Sequence, residues 1–312
     1  MKITRLCPAK INLFLEVTGK RADGYHELET LFAKINLCDT LCVRAVPAGT
    51  TRITLTLGGP VAQQLRADRT NLVWRAAELF LAHFGLHAEA DISLDKHIPT
   101  GAGLGGGSSD AAGVILALCE IFGKDKNELL GACAKLGADV PLFLFEDTFQ
   151  KGEGIGEKLT PLPYRAPLPY AVLVYPHLAV PTKGIFARLK LPAHGEVLTR
   201  RAQLHTIIMN LQQGKPLADW KDLLFNRLEE SVLPFEQAVR EVMTDLSNLH
   251  AGFCRMSGSG STCFALVETE QQAHALAKQL SRADRDIYIT TFREKPHANN
   301  GNQNSSDGRG AS

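Results

Sequence analysis

The chain has 312 residues, with 34 Lys and Arg against 33 Asp and Glu, and therefore a formal net charge of +1 at pH 7. This length is enough for one large core or two moderate ones, and the balanced charge argues against a dedicated nucleic-acid binder, which needs a broad basic surface. The longest apolar candidate for a membrane span, residues 114–122, is interrupted by Glu120 and falls short of the ~18 residues required. We expect a globular protein with neither a membrane nor a nucleic-acid partner.

The seven cysteines form an odd, scattered set, and most of them lie in apolar segments. This usage predicts reduced thiols and a cytoplasmic protein. Cys38 and Cys42 are the closest pair, but no second Cys or His pair follows at zinc spacing. The N-terminal segment contains Lys10, Asn12 and Glu16, so we expect no secretion signal.

In the first half of the chain, alternation of apolar and polar residues predicts half-buried strands, and apolar residues three and four apart predict helices. Asn71 marks a helix start, Gly85 and Gly123 mark helix ends, and Gly137 is expected to end a helix in the left-handed conformation. The predicted elements are strands over 11–17 and 53–57, a helix over 72–84, a strand over 91–95, and helices over 111–122 and 127–136.

In the second half, a proline-rich stretch at 161–169 suggests a boundary between a domain at 1–160 and another at 161–294. Residues 295–312 are polar and are predicted to be a disordered tail. Alternating elements indicate an α+β domain. They are a strand over 171–175, helices within 218–248, two strands joined by a tight loop over 253–267, a helix over 271–280 and a strand over 287–292.

The most informative segment is 99–112, where five of the seven residues from Gly101 to Gly107 are glycine. Glycine lets backbone N–H groups converge on an anion, and the helix that follows adds its positive dipole end. Ser108 and Ser109 would supply hydroxyls at the helix start that cap it or reach a phosphate or its Mg²⁺. A flexible linker is the alternative, but an apolar helix follows at once. The segment therefore predicts a phosphate site.

The residues alone leave the ligand open. Gly101, Gly103 and Gly106 match the dinucleotide fingerprint, but no strand follows the helix to carry the expected acidic residue. The P-loop and protein-kinase signatures are absent from the sequence. Three classes remain: an ATP-dependent kinase, a dinucleotide-binding oxidoreductase and a non-catalytic nucleotide-binding module.

Segment 99–112 resembles the second motif of the GHMP kinases, the superfamily of galactokinase, homoserine kinase, mevalonate kinase and phosphomevalonate kinase. Segments 8–28 and 256–262 match the first and third motifs in order and spacing. The resemblance implies a two-domain α+β GHMP kinase fold, with an N-terminal domain like domain 2 of ribosomal protein S5 and a ferredoxin-like C-terminal domain.

The first motif resembles that of the 4-diphosphocytidyl-2-C-methyl-D-erythritol kinase family, which phosphorylates the 2-hydroxyl of its substrate in the non-mevalonate isoprenoid pathway. Segment 137–141 agrees, although Leu142 and Phe143 stand where two aromatic residues are more usual. The resemblance implies ATP with Mg²⁺, whose ligands stay open, a small-molecule substrate bearing a cytidine diphosphate group, and a monomer or weak homodimer.

The resemblance also implies roles for residues. Asp139 would be the catalytic carboxylate, and the positive charge of Lys10 would favour its ionised form and compensate charge on the transferred phosphoryl group. Without the resemblance, Asp139 is equally well a turn residue and Lys10 a solvated charge. Asn12 lies two residues beyond Lys10, hence on the same face of a strand and near the reacting end of the substrate.

Tyr25 and His26 resemble a cytosine-recognition pair, with Thr182 and Phe186 as a second substrate segment. Phe186 would offer an opposite stacking face, or would simply be a core residue. The predicted ATP contacts are Pro99, Thr100, Gly101, Ala102, Gly103, Leu104, Gly105, Gly106, Gly107, Ser108, Ser109, Asn71 and Lys96. The third motif, predicted as a wall beside the glycine loop or as a plain hairpin turn, is Ser257, Gly258, Ser259, Gly260 and Ser261.

Overall fold

The computed structural model describes residues 1–165, 168–249 and 253–294. The predicted disordered tail, 295–312, lies outside the described residues. None of the helices in the described ranges combines the length and the hydrophobicity that a bilayer span requires.

Runs of strands and runs of helices follow one another along the chain. The strands are β1 (Lys2–Lys20), β2 (His26–Pro47), β3 (Arg52–Gly58), β4 (Ala88–Asp95), β5 (Phe149–Gly154), β6 (Lys158–Leu162), β7 (Tyr170–Tyr175), β8 (Phe225–Asn226), β9 (Cys254–Met256), β10 (Cys263–Val267) and β11 (Asp286–Thr291). The α-helices are α1 (Leu72–His83), α2 (Gly106–Phe122), α3 (Leu130–Leu136), α4 (Thr182–Arg188), α5 (His194–Gln213), α6 (Glu229–Val232), α7 (Gln237–Asn248) and α8 (Glu270–Leu280).

The larger sheet is built on the long antiparallel pair β1–β2. Its order is β3-β4-β2-β1-β8, and β5 pairs with both β2 and β6. The first part of β2 pairs with β5 and the last part pairs with β4. The strand β2 therefore connects β5 and β6 with β4 and β3 in one sheet. Neighbours are antiparallel except for β3–β4 and β1–β8.

The smaller sheet, with the order β11-β7-β10-β9, is antiparallel throughout. Side chains on its two faces belong to two different hydrophobic cores. Val172 and Ala265 pack with apolar residues of α7 and α8. Leu173 and Phe264 pack on the other side with Ile11 of β1 and with residues of α5. The two sheets therefore share a core through β1.

A third core lies between the larger sheet and the helices α1 and α2. Val73, Ala76 and Phe80 of α1 meet Val114 and Leu118 of α2 in this core, which also includes apolar residues of β2, β3 and β4. Regular apolar spacing allowed α1 to be predicted, whereas α2 was predicted from the apolar stretch that Gly123 closes. The N-terminus of α2 follows the glycine segment directly.

The centre of β1 departs from the prediction of a half-buried strand, because residues 9–17 are all buried. Apolar core covers the sheet on one side of the strand, while the alternate residues Lys10, Asn12 and Glu16 are buried polar groups. The alternation in the sequence therefore separates an apolar face from a buried polar face.

Several predicted helix ends are confirmed. Asn71 caps α1 by accepting a hydrogen bond from the Val73 N–H at 2.9 Å, and Gly123 ends α2 in the left-handed conformation. The prediction for Gly137 is wrong: its φ of −176° is extended backbone that any residue adopts. The predicted strands over 91–95, 171–175 and 253–267 and the helix over 271–280 are confirmed.

Other elements were missed or misplaced. Helix α2 begins at Gly106 rather than near residue 111, because the last glycines enter its first turn. Residues 218–248 are not one run of helices, since the two-residue strand β8 interrupts them. Helix α5 was not predicted. The division into domains at 1–160 and 161–294 stays a prediction, because β7 opens the smaller sheet after residue 161 while β8 pairs with β1.

The packing of α2 on the sheet can be tested at Gly113. A Cβ atom there would lie 2.6 Å from Cys7 Sγ and 2.9 Å from Leu41 Cδ2. We expect Gly113→Ala to lower the free energy of unfolding by about 1–3 kcal/mol, as overpacking does in a dense core. Urea denaturation measures the change.

Gly131 is the matched control, because it is exposed in α3 and a Cβ would meet nothing within 4 Å. Gly131→Ala should be neutral or should stabilise by up to about 1 kcal/mol through helix propensity. Equal unfolding free energies for the two variants would contradict the close packing of α2.

Candidate active site

A cavity of about 1440 Å³ opens between the glycine segment, the β1–β2 pair and the turn that joins β9 to β10. Most of the predicted site residues line it. Those that do are Lys10, Asn12, Tyr25, His26, Asn71, Lys96, the ten residues from Pro99 to Ser108, Asp139, Thr182, Phe186, Gly258 and Ser259. The predicted residues outside its lining are Ser109, Ser257, Gly260 and Ser261.

The shape of the glycine segment depends on backbone positions that only glycine fits. Gly101, Gly103 and Gly105 have φ values of 63°, 76° and 70°, in the left-handed region. A Cβ on Gly103 would lie 2.1 Å from the carbonyl oxygen of Ser257. Gly105 caps α2 without a side-chain hydrogen bond, so the first N–H groups of the helix are free for an anion at its positive end.

Ser108 and Ser109 are neighbours in the first turn of α2, and their side chains point in different directions. Ser108 lines the cleft, and its hydroxyl is 3.6 Å from where a Cβ on Gly137 would be. Ser109 is only 2% exposed and its hydroxyl is buried. The prediction that the Ser109 hydroxyl caps the helix or reaches a phosphate is therefore corrected: that side chain turns into the protein.

Lys10 and Asp139 converge at the glycine loop. Lys10 is only 4% exposed, so the alternative of a solvated charge is wrong. Its ammonium donates to Asn12 Oδ1 at 2.6 Å and to the Gly103 carbonyl at 2.9 Å, and lies 3.7 Å from Asp139 Oδ2. Burial lowers the pKa of Lys10, an effect that the Asp139 carboxylate partly offsets.

Two successive hydrogen bonds orient the Asn12 side chain. Its amide donates to Thr30 Oγ1 at 2.8 Å, and that hydroxyl donates to the Phe14 carbonyl at 2.7 Å. This relay leaves the Asn12 carbonyl oxygen facing Lys10. The Asp139 side chain is 31% exposed, so its carboxylate is accessible from the cleft.

The third motif forms the turn between the antiparallel strands β9 and β10, and it also packs on the glycine loop. The Ser257 hydroxyl donates to the Gly103 carbonyl at 2.9 Å, and the Thr262 N–H donates to the Ala102 carbonyl at 3.1 Å. A Cβ on Gly258 would lie 3.1 Å from both the Lys10 ammonium and the Asn12 oxygen. The hairpin and the wall are thus one structure.

Aromatic residues stand at the other end of the cleft. His26 and Phe186 are stacked, with ring centroids 5.0 Å apart and an interplanar angle of 27°, while Tyr25 is 60% exposed. Burial and the charge of Lys20 lower the pKa of His26, which favours the neutral imidazole. In this structure Phe186 stacks on His26, and Thr182 shares a hydrogen bond of 2.9 Å with Ser259.

Lys96 proves to be the centre of a buried charge cluster. Its ammonium bonds to Asp39 and lies 2.7 Å from Asp110 Oδ2. Asp39 also accepts from the His97 and Ile98 N–H groups, at 2.6 and 2.8 Å. A Cβ on the adjacent Gly106 would come within 2.9 Å of the ammonium, so the cluster lies directly beneath the loop.

Sequence reasoning missed Asp39 and Asp110, because the cluster joins a residue of β2, the residue after β4 and a residue of α2, and the two carboxylates lie 57 and 14 residues from Lys96. Burial raises the pKa of Asp110, and the neighbouring Lys96 ammonium opposes that rise. The only signal for either residue was an acidic side chain beside apolar neighbours.

Asn71 was predicted as a nucleotide contact. Its side chain instead caps α1 and donates a hydrogen bond to the Arg66 carbonyl at 3.0 Å. Gln64, Arg66 and Thr70 also line this end of the cleft.

Comparisons with known proteins identify the family of the chain. The model of the GHMP kinases N terminal domain matches residues 71–147, and that of the GHMP kinases C terminal domain matches residues 210–286. A 4-diphosphocytidyl-2-C-methyl-D-erythritol kinase of Burkholderia multivorans is 38% identical over 299 residues, which cover 93% of this chain and 94% of the relative. The chain belongs to the 4-diphosphocytidyl-2-C-methyl-D-erythritol kinase family. A family member from Geobacter metallireducens is 34% identical over 295 residues, covering 93% of this chain and 98% of its own length.

Solved structures show the same fold. A crystal structure of 4-(cytidine 5'-diphospho)-2C-methyl-D-erythritol kinase matches with a TM-score of 0.74 at 34% identity, covering 94% of this chain and all of that chain (100%). A homoserine kinase from Cytophaga hutchinsonii matches with the same TM-score of 0.74 at 18% identity, covering 94% and 96% of the two chains, and supports the fold alone. The two-domain α+β GHMP kinase fold is confirmed.

The alternative prediction of a dinucleotide-binding oxidoreductase is wrong, because a 3₁₀ turn and α3, rather than a strand, follow α2.

The close approach of the glycine loop to the third motif can be tested with Gly103→Ala. The new Cβ would clash with the Ser257 carbonyl, so the loop has to move and its N–H groups lose their common focus. We expect ATP affinity to fall by about 10-fold or more, a loss of ~1.4 kcal/mol or above. Isothermal titration calorimetry with ATP measures it.

Gly123→Ala is the control, because Gly123 has a similar φ of 63° at the other end of α2 and a Cβ there meets nothing within 4 Å. It carries the same backbone strain without the clash. ATP affinity in this variant should match that of the unmodified protein. Equal losses in both variants would show that strain alone, not the contact with Ser257, controls the loop.

Proposed function

We propose that this protein transfers the γ-phosphoryl group of ATP to the 2-hydroxyl of 4-diphosphocytidyl-2-C-methyl-D-erythritol, giving the 2-phosphate and ADP. One observation carries the proposal: the buried Lys10 ammonium lies 2.9 Å from the glycine loop at Gly103 and 3.7 Å from Asp139. A phosphate-binding loop, a fixed cation and an accessible carboxylate thus meet at one place. Family membership and the names of the relatives support this substrate.

The reaction asks the protein mainly for positioning and charge compensation. The oxygen of the acceptor hydroxyl attacks the γ-phosphorus, the bond from that phosphorus to the β–γ bridging oxygen breaks, and ADP leaves with the bond's electrons. Asp139 takes the hydroxyl proton. Lys10 holds positive charge beside both the carboxylate and the loop, where the charge on the transferred group is compensated. The free N–H groups at the start of α2 hold the phosphates.

Mg²⁺ belongs to the proposal as the partner of ATP, and when bound it neutralises phosphate charge. The residues present fit an ion that is held mostly by phosphate and water. Asp139 and Ser108 offer a carboxylate and a hydroxyl oxygen on the cleft wall. Within the described ranges, no group of three or more His, Cys, Asp or Glu side chains could hold a metal ion by itself.

The acceptor end of the cleft suits a cytidine diphosphate group. Tyr25 and the stacked pair His26 and Phe186 present aromatic surface for a base, and a neutral imidazole can exchange hydrogen bonds with its edge. Thr182 adds a hydroxyl. A cytoplasmic location and a monomeric or weakly dimeric state stay predictions, as does the role of each residue named here.

The role of Asp139 can be tested with Asp139→Asn, which keeps the shape but cannot accept the hydroxyl proton. We expect kcat to fall by about 10³-fold or more, the size seen when a reacting group is removed. ATP affinity should stay nearly unchanged, because the loop and Lys10 are intact. Single-turnover kinetics measure the first quantity and calorimetry the second.

Asp91→Asn is the control, because Asp91 is exposed on β4 and does not line the cleft. Its kcat should match that of the unmodified protein. Undiminished turnover in Asp139→Asn would refute the proposed proton acceptor.

The substrate can be tested separately from kinase activity. In a coupled assay of ADP release, we expect activity with 4-diphosphocytidyl-2-C-methyl-D-erythritol and little with homoserine, mevalonate or galactose. The aromatic end formed by Tyr25, His26 and Phe186 has no partner in the last three compounds, which lack a base. Preference for any of these three would overturn the substrate while leaving the kinase fold in place.

A further inference from the structure

Asn226 is a buried amide at the joint between the two sheets. It is 1% exposed and forms the end of β8, where it pairs with Leu15 of β1. It does not line the cleft. Neither the three motifs nor the predicted site includes this residue, and the two-residue strand that holds it gave no pattern in the sequence.

The Asn226 side chain is held on both ends. Its Nδ2 group donates to the Met256 carbonyl at 2.7 Å and to the Gly258 carbonyl at 2.8 Å. Its Oδ1 atom accepts from the Leu228 N–H at 2.9 Å. Both donors of the amide are therefore used on the backbone of the third motif, on either side of Ser257.

The backbone that Asn226 holds touches the reacting groups. A Cβ on Gly258 would lie 3.1 Å from the Lys10 ammonium, and the hydroxyl of the preceding Ser257 donates to the Gly103 carbonyl. The same carbonyl accepts from Lys10. A shift of the turn would therefore move the Ser257 hydroxyl away from the glycine loop and open space beside Lys10.

We propose that Asn226 is a positioning residue for phosphoryl transfer: through its two hydrogen bonds to the third motif, it sets the placement of Lys10 and of the glycine loop. The inference rests on the proposed kinase function, since it assigns a role in that same site. The bonded groups are neutral, so the amide acts by geometry rather than by charge.

The test is Asn226→Asp, which keeps the size of the side chain but turns an oxygen toward two carbonyl oxygens. We expect kcat to fall by about 10- to 100-fold, because a displacement of about 1 Å at the reacting groups can cost about 10²-fold in rate. The KM for the acceptor should change by less than about threefold, because Tyr25, His26 and Phe186 line the cleft whereas Asn226 does not. Asn226→Ser, which retains one hydroxyl donor, should have an intermediate kcat.

Asn36→Asp is the matched control. Asn36 is an exposed amide of β2 that donates to Thr291 Oγ1 at 2.7 Å and to the Phe292 carbonyl at 3.3 Å, so it also bridges the two sheets, but away from the cleft. Its variant should keep the kcat of the unmodified protein. All kcat values are referred to the folded fraction, measured by circular dichroism at the assay temperature.

A kcat within twofold of the unmodified protein in folded Asn226→Asp would overturn the inference, as would an equal loss in Asn36→Asp. Failure of both Asn226 variants to fold would also overturn it, because the residue would then be structural. An unmodified protein that is inactive with every acceptor would instead refute the proposed function, so the two failures are distinguishable.

Discussion

The geometry of the site depends on the two hydrogen bonds that the Gly103 carbonyl oxygen accepts. It accepts hydrogen bonds from the Lys10 ammonium and from the Ser257 hydroxyl, each at 2.9 Å. These donors lie 93 and 154 residues away along the chain. One acceptor therefore fixes the start of the chain, the glycine loop and the turn of the smaller sheet relative to one another, and the cleft lies between these three parts.

Buried charge explains how a chain with a net charge of +1 can build an anion site. Lys10 and Lys96 are both buried beside the glycine loop, and each has carboxylate partners that offset the cost of removing an ammonium from water. Asp39 and Asp110 belong to the Lys96 cluster, whereas Asp139 stays accessible. The anion site thus combines backbone N–H groups with the enclosed Lys10 ammonium, whereas the Lys96 cluster supports the loop from beneath, and no basic surface is needed.

Local pattern was enough to predict much of the fold and part of the site. The period of a strand places Lys10 and Asn12 side by side, and the glycines before an apolar helix indicate the phosphate loop. The direction of Ser109 could not be predicted, because it depends on where α2 begins. Asp39, Asp110 and Asn226 could not be predicted either. Their roles come from tertiary contacts across 14 to 57 residues, which leave no local period in the sequence.

Lys10 has a further consequence for the energetics of turnover. Its ammonium is held by Asn12 and by the Gly103 carbonyl, and Asn12 is in turn held by Thr30, so the groups that orient the cation belong to the chain itself. The free energy needed to desolvate and orient this cation is therefore met once, when the chain folds. Each catalytic cycle begins with the dipoles and charges of the site preorganised, and the reorganisation energy that water would add to every turnover is avoided.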